Sequence, residues 1–506
     1  MFKMKKLLAV TLALLLLFVA APVMAAGEKP LAMIDIFTVN DFHGRLLAEG
    51  EQPGAAALAG ALRKLQETNP QGALVLAAGD MVNGTMEADW LDGQPVVAML
   101  QRANTAAMTL GNHEFNWPAE KLAKLGQTIP FIAANVVEKE SGQRPAFVQP
   151  YLVVERSGLR IGIIGLATPE SAFKAHPREV GRYRFLDPVE SARQAAGELQ
   201  GKVDMIILLT HLGSDVDSNG KLIGEVVPLV RAAKSMGVAA VVTGHSHKRV
   251  AVEQDGVQVV QGGYYGRAIG KISLLYSRLE KKVISGSSAV VDVIEAGYPP
   301  DDKTAEAIAA VNRQVAAMRS EVLTTSGPTL THDRWQLSPL GCYAADVLRA
   351  AFKADAAFIG GGSIRDNLNG GRITAGDLYR VLPFSDQVET GRLSGRMIRE
   401  IVEYGLFNTK VGVLQFSGLK VETDASRPQG AKIVRITLAD GRELQDDVWY
   451  KVAANSFIAA GGDQYEWFGN MKERQEWRAQ LRDVLAVGLR SGALASGEAQ
   501  ERWLQH

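Results

Sequence analysis

The sequence predicts an α/β fold in more than one domain, built on a largely parallel or mixed sheet with helices on both faces. Three observations carry that expectation. Apolar β-rich runs alternate with Ala- and Leu-rich helical stretches, the pattern of βαβ units. Five of these runs end at once in Asp, Asn or His, and in such sheets functional groups gather at the carboxyl ends of the strands. The chain also has 506 residues, too many for one ordinary hydrophobic core.

The elements follow in order. Met33 to Val39 is an apolar β-rich run that delivers Asp41 and His43. Residues 54 to 68 have the period and composition of a helix. Ala73 to Ala78 reads as a buried strand ending in Gly79-Asp80, and a helical stretch from Pro95 to Arg102 precedes the strand before Gly111-Asn112-His113-Glu114. Strands are expected at 129–134 and 159–166. A helix is expected from Pro188 to Leu199, with Asp187 as its cap and proline at its first position. The run 203–209 then leads to Thr210-His211, and 238–243 leads to Gly244-His245-Ser246-His247.

Strand-like segments at 256–261 and 268–275 close the first half. A turn-rich break, Glu295 to Asp302, precedes one helix over 303–322. The second half has a helix over 337–352, a strand at 356–359, the Gly-rich turn Gly360-Gly-Gly-Ser-Ile-Arg365 and a β-rich portion whose clearest strand is 431–438. It ends in the segment Asn455 to Tyr465.

Composition excludes several classes. With 47% hydrophobic and 22% charged residues, the chain is globular. Its formal net charge of zero offers no surface for a nucleic acid polymer or an anionic membrane. Residues 1–26 read as a signal peptide: Lys3, Lys5 and Lys6 precede the apolar run Leu7 to Ala21, and Val23-Met24-Ala25 supplies a small-x-small cleavage pattern. Its removal takes away three lysines and leaves the mature chain mildly acidic. No later segment reaches the roughly 18 apolar residues a span requires, so no membrane span is expected after signal removal. Cys342 is the single cysteine, so export is not accompanied by an intrachain disulfide. A periplasmic or secreted monomer is expected.

The strand ends collect Asp41, His43, Asp80, Asn112, His113, His211, His245 and His247, among them five of the eight histidines. Imidazole, carboxylate and amide oxygen without thiolate suit a divalent ion such as Zn²⁺, Mn²⁺ or Co²⁺, with Mg²⁺ an alternative, and exceed what one tetrahedral ion requires. Two ions bridged by a carboxylate form an arrangement used for hydrolytic displacement at phosphorus, with a metal-bound hydroxide as the attacking group.

In that order and spacing, Asp41-Phe-His43, Gly79-Asp80, Gly111-Asn-His-Glu114, His211 and Gly244-His-Ser-His247 resemble the calcineurin-like metallophosphoesterase motifs. Through Gly360 to Arg365, Pro383-Phe384 and Phe457 to Asp463, the chain further resembles the secreted 5′-nucleotidase family, whose members include periplasmic 5′-nucleotidase/UDP-sugar hydrolases. The resemblance implies an N-terminal four-layer α/β/β/α sandwich plus a smaller C-terminal α+β substrate-binding domain. The corresponding boundaries are 27–300 for the first, 301–322 for a linker helix and 323–506 for the second.

It also implies roles: Asp41, His43 and His247 on one ion, Asp80 bridging, and Asn112, His211 and His245 on the other. His113 would act as transition-state donor or general acid. Arg334 and Arg365 would grip phosphate, Phe384 and Phe457 would stack on the base, and Asp463 would hold the ribose. The partner is then a small-molecule nucleotide, a nucleoside 5′-monophosphate first, with nucleotide diphosphates or UDP-sugars also cleaved, and the C-terminal domain is expected to rotate about the linker helix.

Two residues depart from the family pattern. Asn116 stands where many members have an Asp that orients the catalytic histidine; an amide holds the imidazole but supplies no charge. Related 2′,3′-cyclic-nucleotide phosphodiesterases/3′-nucleotidases carry Asn here, which keeps that activity as the alternative. A non-catalytic nucleotide-binding protein is the alternative from another class. Asp386 stands where some members have Asn and adds negative charge near a site for anionic substrates.

Overall fold

The computed structural model describes residues 30–327, 329–492 and 501–505; the expected signal peptide, 1–26, lies outside them. Strands β1 (Leu31–Val39), β2 (Ala73–Ala77), β3 (Thr105–Thr109), β4 (Phe131–Ile132) and β5 (Val148–Gln149) run parallel to their neighbours. A second set comprises β6 (Tyr151–Arg156), β7 (Leu159–Leu166), β8 (Met205–Gly213), β9 (Val238–Gly244), β10 (Arg249–Gln254) and β11 (Val257–Gly262). Antiparallel β12 (Ala268–Ser277) and β13 (Lys282–Asp292) return to the first sheet.

The strands form two sheets, as the expected α/β/β/α sandwich requires, ordered β13-β12-β1-β2-β3-β4-β5 and β10-β11-β9-β8-β7-β6. The strand alternation explains the layering. Ile34, Ile36, Leu74 and Leu76 of one sheet meet Ile161, Ile163, Ile207 and Leu209 of the other in a core between the sheets. Their neighbours Phe37, Val39, Val75 and Ala77 point the opposite way, under the helix Gly54–Glu67. Ile164, Leu166, Ile206 and Leu208 do the same under the helices Pro188–Leu199 and Val227–Ala233. Successive side chains on a strand face opposite sides, so an unbroken apolar run serves two cores. The result is the four-layer α/β/β/α sandwich.

Most elements fall where the sequence places them. The helix Pro188–Leu199 is capped by Asp187, which accepts the Glu190 N–H at 2.9 Å. The connecting helix is Asp302–Arg319, capped by Asp301; it packs both on Gly54–Glu67 and on Ala375–Val381 of the second half. The strand expected at 203–209 extends to Gly213, so His211 sits within it. Strands β6, β10 and β13, and Lys472–Gln480 in the second half, are absent from the sequence reading. All four lie at sheet edges; β13 and Lys472–Gln480 are mostly exposed, and β6 and β10 are six-residue runs that are only partly buried.

The second half is α+β. A five-stranded sheet runs Gln415–Ser417, Ala356–Ile359, Trp449–Asn455, Gln387–Ser394, Lys472–Gln480 in spatial order. The helix Pro339–Phe352 packs beside it with its face of Leu340, Tyr343, Ala344, Val347 and Leu348.

Candidate active site

Three loops at the carboxyl ends of β1, β2 and β3 are stitched to one another by backbone. The N–H groups of Asp41 and His43 donate to the carbonyls of Gly79 and Asp80, both at 3.0 Å. The Glu114 carboxylate, wholly buried, accepts the N–H groups of Gly111 at 2.7 Å and of Asp80 and Met81 at 2.8 Å. Gly111 has to be glycine here: a Cβ would lie 2.2 Å from Asp80 Oδ1. From the other sheet, β8 contributes His211 and the turn after β9 contributes His245 and His247. The carboxyl ends of the two sheets therefore meet at this site.

The side chains converge. Asp41, His43 and His247 form one group whose ligand-type atoms lie within 4.8 Å of one another, and Asp80, His211 and His245 form another. His247 Nε2 is 3.3 Å from Asp41 Oδ1 and 3.2 Å from His43 Nε2; His211 Nε2 is 3.2 Å from Asp80 Oδ2. The Asn112 Oδ1 is buried without a hydrogen-bond partner. Asp41, His43, Asp80, His245 and His247 all have positive φ, between 49° and 73°. Such conformations are uncommon outside glycine and cost of order 1–3 kcal/mol each where a site holds them.

The electrostatics match a cation site. Burial opposes charge on His211, yet the carboxylates of Asp80 and Asp41 raise it to about 10. Burial likewise opposes ionisation of Asp80, but His211, His113 and His43 pull it well below the usual carboxylate range. Buried carboxylates that hold on to positive charge so strongly, beside imidazoles whose nitrogens face one another, fit divalent cations in chemistry and number of donors.

The ring of His113 lies beside this centre, its Nε2 4.0 Å from Asp80 Oδ2. It belongs with His43 and Asp80 to a third possible ligand group, so proximity alone does not separate it from the ligands. Its Nδ1 does: it is 2.9 Å from the Asn116 amide nitrogen, while Asn116 Oδ1 accepts the backbone N–H of His176 at 2.8 Å. The amide orientation follows from that network. With its oxygen engaged, Asn116 presents NH₂ to His113, which makes Nδ1 an acceptor and puts the ring proton on Nε2, facing the centre. Burial pushes the His113 imidazole down to about 3, against the pull of Asp80.

The substrate-type residues come from the second half and face the same cavity of about 610 Å³, which Asp80, Asn112, His113, Arg334, Arg365, Phe384, Phe457 and Asp463 line together. Phe384 stacks on His113. Asp386 lines the same cavity. Its Oδ2 accepts from Asn455 at 2.7 Å, and burial lifts it to about 6, so the carboxyl is engaged within the second half.

Sequence reasoning missed several residues here. Glu114 was visible in the motif, but its clamp on two loops depends on the tertiary fold. Glu170 Oε2 lies 3.0 Å from His245 Nε2, leaving Nδ1 as the nitrogen free to face a cation, a support of the kind metal-ligating histidines use. Tyr264 stacks on His247 at 5.0 Å. Lys174 reaches across to Asp463 at 3.6 Å, His176 to Ser456 Oγ at 3.2 Å and Arg178 to the buried Glu389 at 2.9 Å. These alternate residues, from the short helices Ser171–Lys174 and Pro177–Val180 and the turn between them, grip the second half, and no motif announces them.

Fold and centre together define a metal-dependent phosphoesterase. The calcineurin-like phosphoesterase family model matches residues 34–249 and the 5′-nucleotidase C-terminal domain model matches 314–470. The chain thus joins a calcineurin-like phosphoesterase domain to a 5′-nucleotidase C-terminal domain, the make-up of a metal-dependent hydrolase of phosphoric monoesters. It is 28% identical over 484 residues to the 5′-nucleotidase of Vibrio cholerae, covering 85% of each chain. It is 27% identical over 464 residues to the endonuclease YhcR of Bacillus subtilis, covering 86% of this chain but 38% of that protein's length. The crystal structure of a 5′-nucleotidase precursor from Thermus thermophilus superposes with a TM-score of 0.81 at 26% identity, over 94% of this chain and 99% of that one.

Proposed function

We propose that this chain is an exported, two-metal phosphohydrolase that releases phosphate from nucleoside 5′-monophosphates and also cleaves nucleotide diphosphates or UDP-sugars. One observation carries the reading. A nucleotide-sized cavity has a metal-type centre and His113 on one wall, and two Phe rings, two arginines and a buried carboxylate on the other. The reading divides the chain into a catalytic part (27–300), a connector (301–322) and a substrate-binding part (323–506).

Asp41, His43 and His247 would hold one ion, Asn112, His211 and His245 the other, with Asp80 between them. When bound, the ions supply a nucleophile from water near neutral pH and offset charge on the phosphoryl oxygens. Arg365, which makes no salt bridge among the described residues, and Arg334, whose Nε is buried without a hydrogen-bond partner, present forks matched to phosphate. Phe384 and Phe457 take the base, and Asp463 accepts from sugar hydroxyls. His113 donates from Nε2–H to an oxygen that gains charge in the transition state, held in that tautomer by Asn116. The amide supports the donor role over that of general acid, because NH₂ opposite Nδ1 disfavours a second ring proton.

Export rests on the leader read in the sequence; no helix among the described residues is long and apolar enough to cross a membrane. The 2′,3′-cyclic-nucleotide phosphodiesterase/3′-nucleotidase is retained as the second reading on Asn116. A phosphate-release panel of 5′-, 3′- and 2′,3′-cyclic nucleotides and UDP-sugars, run with Mn²⁺, Zn²⁺, Co²⁺ and Mg²⁺, decides between them. Preference for 5′-monophosphates is the expected result; exclusive use of cyclic or 3′-nucleotides overturns it, and no metal-dependent release from any ester overturns both.

A further inference from the structure

His113 is held on three sides. Asn116 meets its Nδ1 edge at 2.9 Å. The ring of His43 stands against it, centroids 5.2 Å apart and planes at 71°. Its flat face is covered by Phe384, centroids 5.2 Å apart and planes at 10°. The first two restraints belong to the same half of the chain as His113 itself. Phe384 does not: it lies between the helix Ala375–Val381 and the strand Gln387–Ser394 of the second half, with the Arg365 guanidinium 5.8 Å from its ring centre.

We propose that Phe384 is a positioning residue for catalysis as well as a base-stacking one, its ring fixing the plane of His113 with one face while offering the other to the nucleotide base. The proposal deepens, and rests on, the reading of His113 as transition-state donor. A phenyl ring has two faces, and the one on His113 is not available to a base. A base stacked on the face turned away from His113 presses Phe384 toward the imidazole, and the sugar and phosphate beyond that base reach the metal-type centre. Recognition of the base and placement of the donor thereby become one event, and the interaction with a remote part of the substrate appears in kcat instead of only in KM. The contact exists only while the two halves are together, so full restraint of the donor depends on this arrangement of the halves. Misplacing a reacting group by about 1 Å costs up to about 10²-fold in rate, which sets the scale for releasing one face of the ring.

Ribose 5-phosphate separates the two roles because it carries the sugar and phosphate but no base. In the Mn²⁺-loaded full chain, F384L is expected to lower kcat on ribose 5-phosphate about tenfold or more, with KM changed much less, and F384Y to restore it. The second measurement needs no turnover. In protein labelled with ¹³C at histidine Cε1, the His113 resonance, assigned by its loss in H113Q, is expected to be shifted upfield by the Phe384 ring current. It should move downfield in F384L and return in F384Y. Wild-type kcat on ribose 5-phosphate in F384L together with an unmoved His113 resonance overturns the proposal. If the wild-type protein hydrolyses no nucleotide at all, the nucleotidase reading fails by itself, and the resonance still decides whether Phe384 holds His113.

Discussion

The Glu114 clamp gives the most direct link from fold to function. Its Oε2 takes the N–H groups of Asp80 (2.8 Å) and Gly111 (2.7 Å), and its Oε1 takes those of Met81 (2.8 Å) and Val82 (3.4 Å). E114Q keeps the shape but has one acceptor oxygen. Whichever way the amide turns, its NH₂ faces two backbone donors. Hydrogen bonds to charged groups contribute about 1.5–3 kcal/mol each, so losing two costs about 3–6 kcal/mol locally. At about 1.4 kcal/mol per decade this is a factor of about 10²–10⁴. Burial and the neighbouring Asp80 carboxylate lift Glu114 to about 7, so the measurement belongs at pH 8, where the carboxylate is ionised. Amide hydrogen exchange should accelerate by that factor in E114Q at the pair that faces the NH₂, either Asp80 and Gly111 or Met81 and Val82; if that pair is Asp80 and Gly111, divalent-metal affinity should fall with it because Asp80 loses its anchor. Unchanged protection at these amides, with unchanged metal affinity, would refute the clamp.

Three further outcomes are expected. H113A loses most of kcat while retaining both ions, whereas D80A loses metal as well, as read by metal analysis beside phosphate release; loss of metal from H113A would show that His113 is a ligand. N116D keeps an acceptor for the His176 N–H and places a carboxylate against Nδ1, favouring the doubly protonated ring. Its rate on esters with poor alkoxide leaving groups should therefore rise relative to aryl phosphates, and an unaltered ratio would count against tautomer control by Asn116. Asp89 accepts from Tyr379 Oη across the two halves at 2.7 Å, and burial lifts it to about 7 against 3.8 unperturbed. The folded protein thus keeps a proton that the unfolded chain releases earlier. The associated stability is complete below about pH 4 and is lost as pH rises through about 7. The thermal midpoint should fall between pH 5 and 8 and do so less in D89N; identical slopes would exclude Asp89 as the source.

The sequence alone determined the residue types and the local elements that carry them. Apolar runs ending in Asp41-Phe-His43, Gly79-Asp80 and Asn112-His113 must become buried strands that stop at polar loops, since burial of the run and solvation of its end are properties of adjacent residues. The cap Asp187 was legible for the same reason. Edge strands such as Lys282–Asp292 were not, because an edge faces water and leaves no apolar period to read. Only the tertiary structure decided how the carboxyl ends of β1 to β3 and of β8 and β9 meet, bringing Asp41 and His247 to 3.3 Å across more than 200 positions. It alone placed Glu114 on two loops, Glu170 on His245, Lys174 beside Asp463 and Phe384 over His113. Each of these is a contact between segments distant in the chain. Side-chain reach is a few ångströms, so such pairings are set by how the layers pack, and neither propensity nor periodicity encodes the partner.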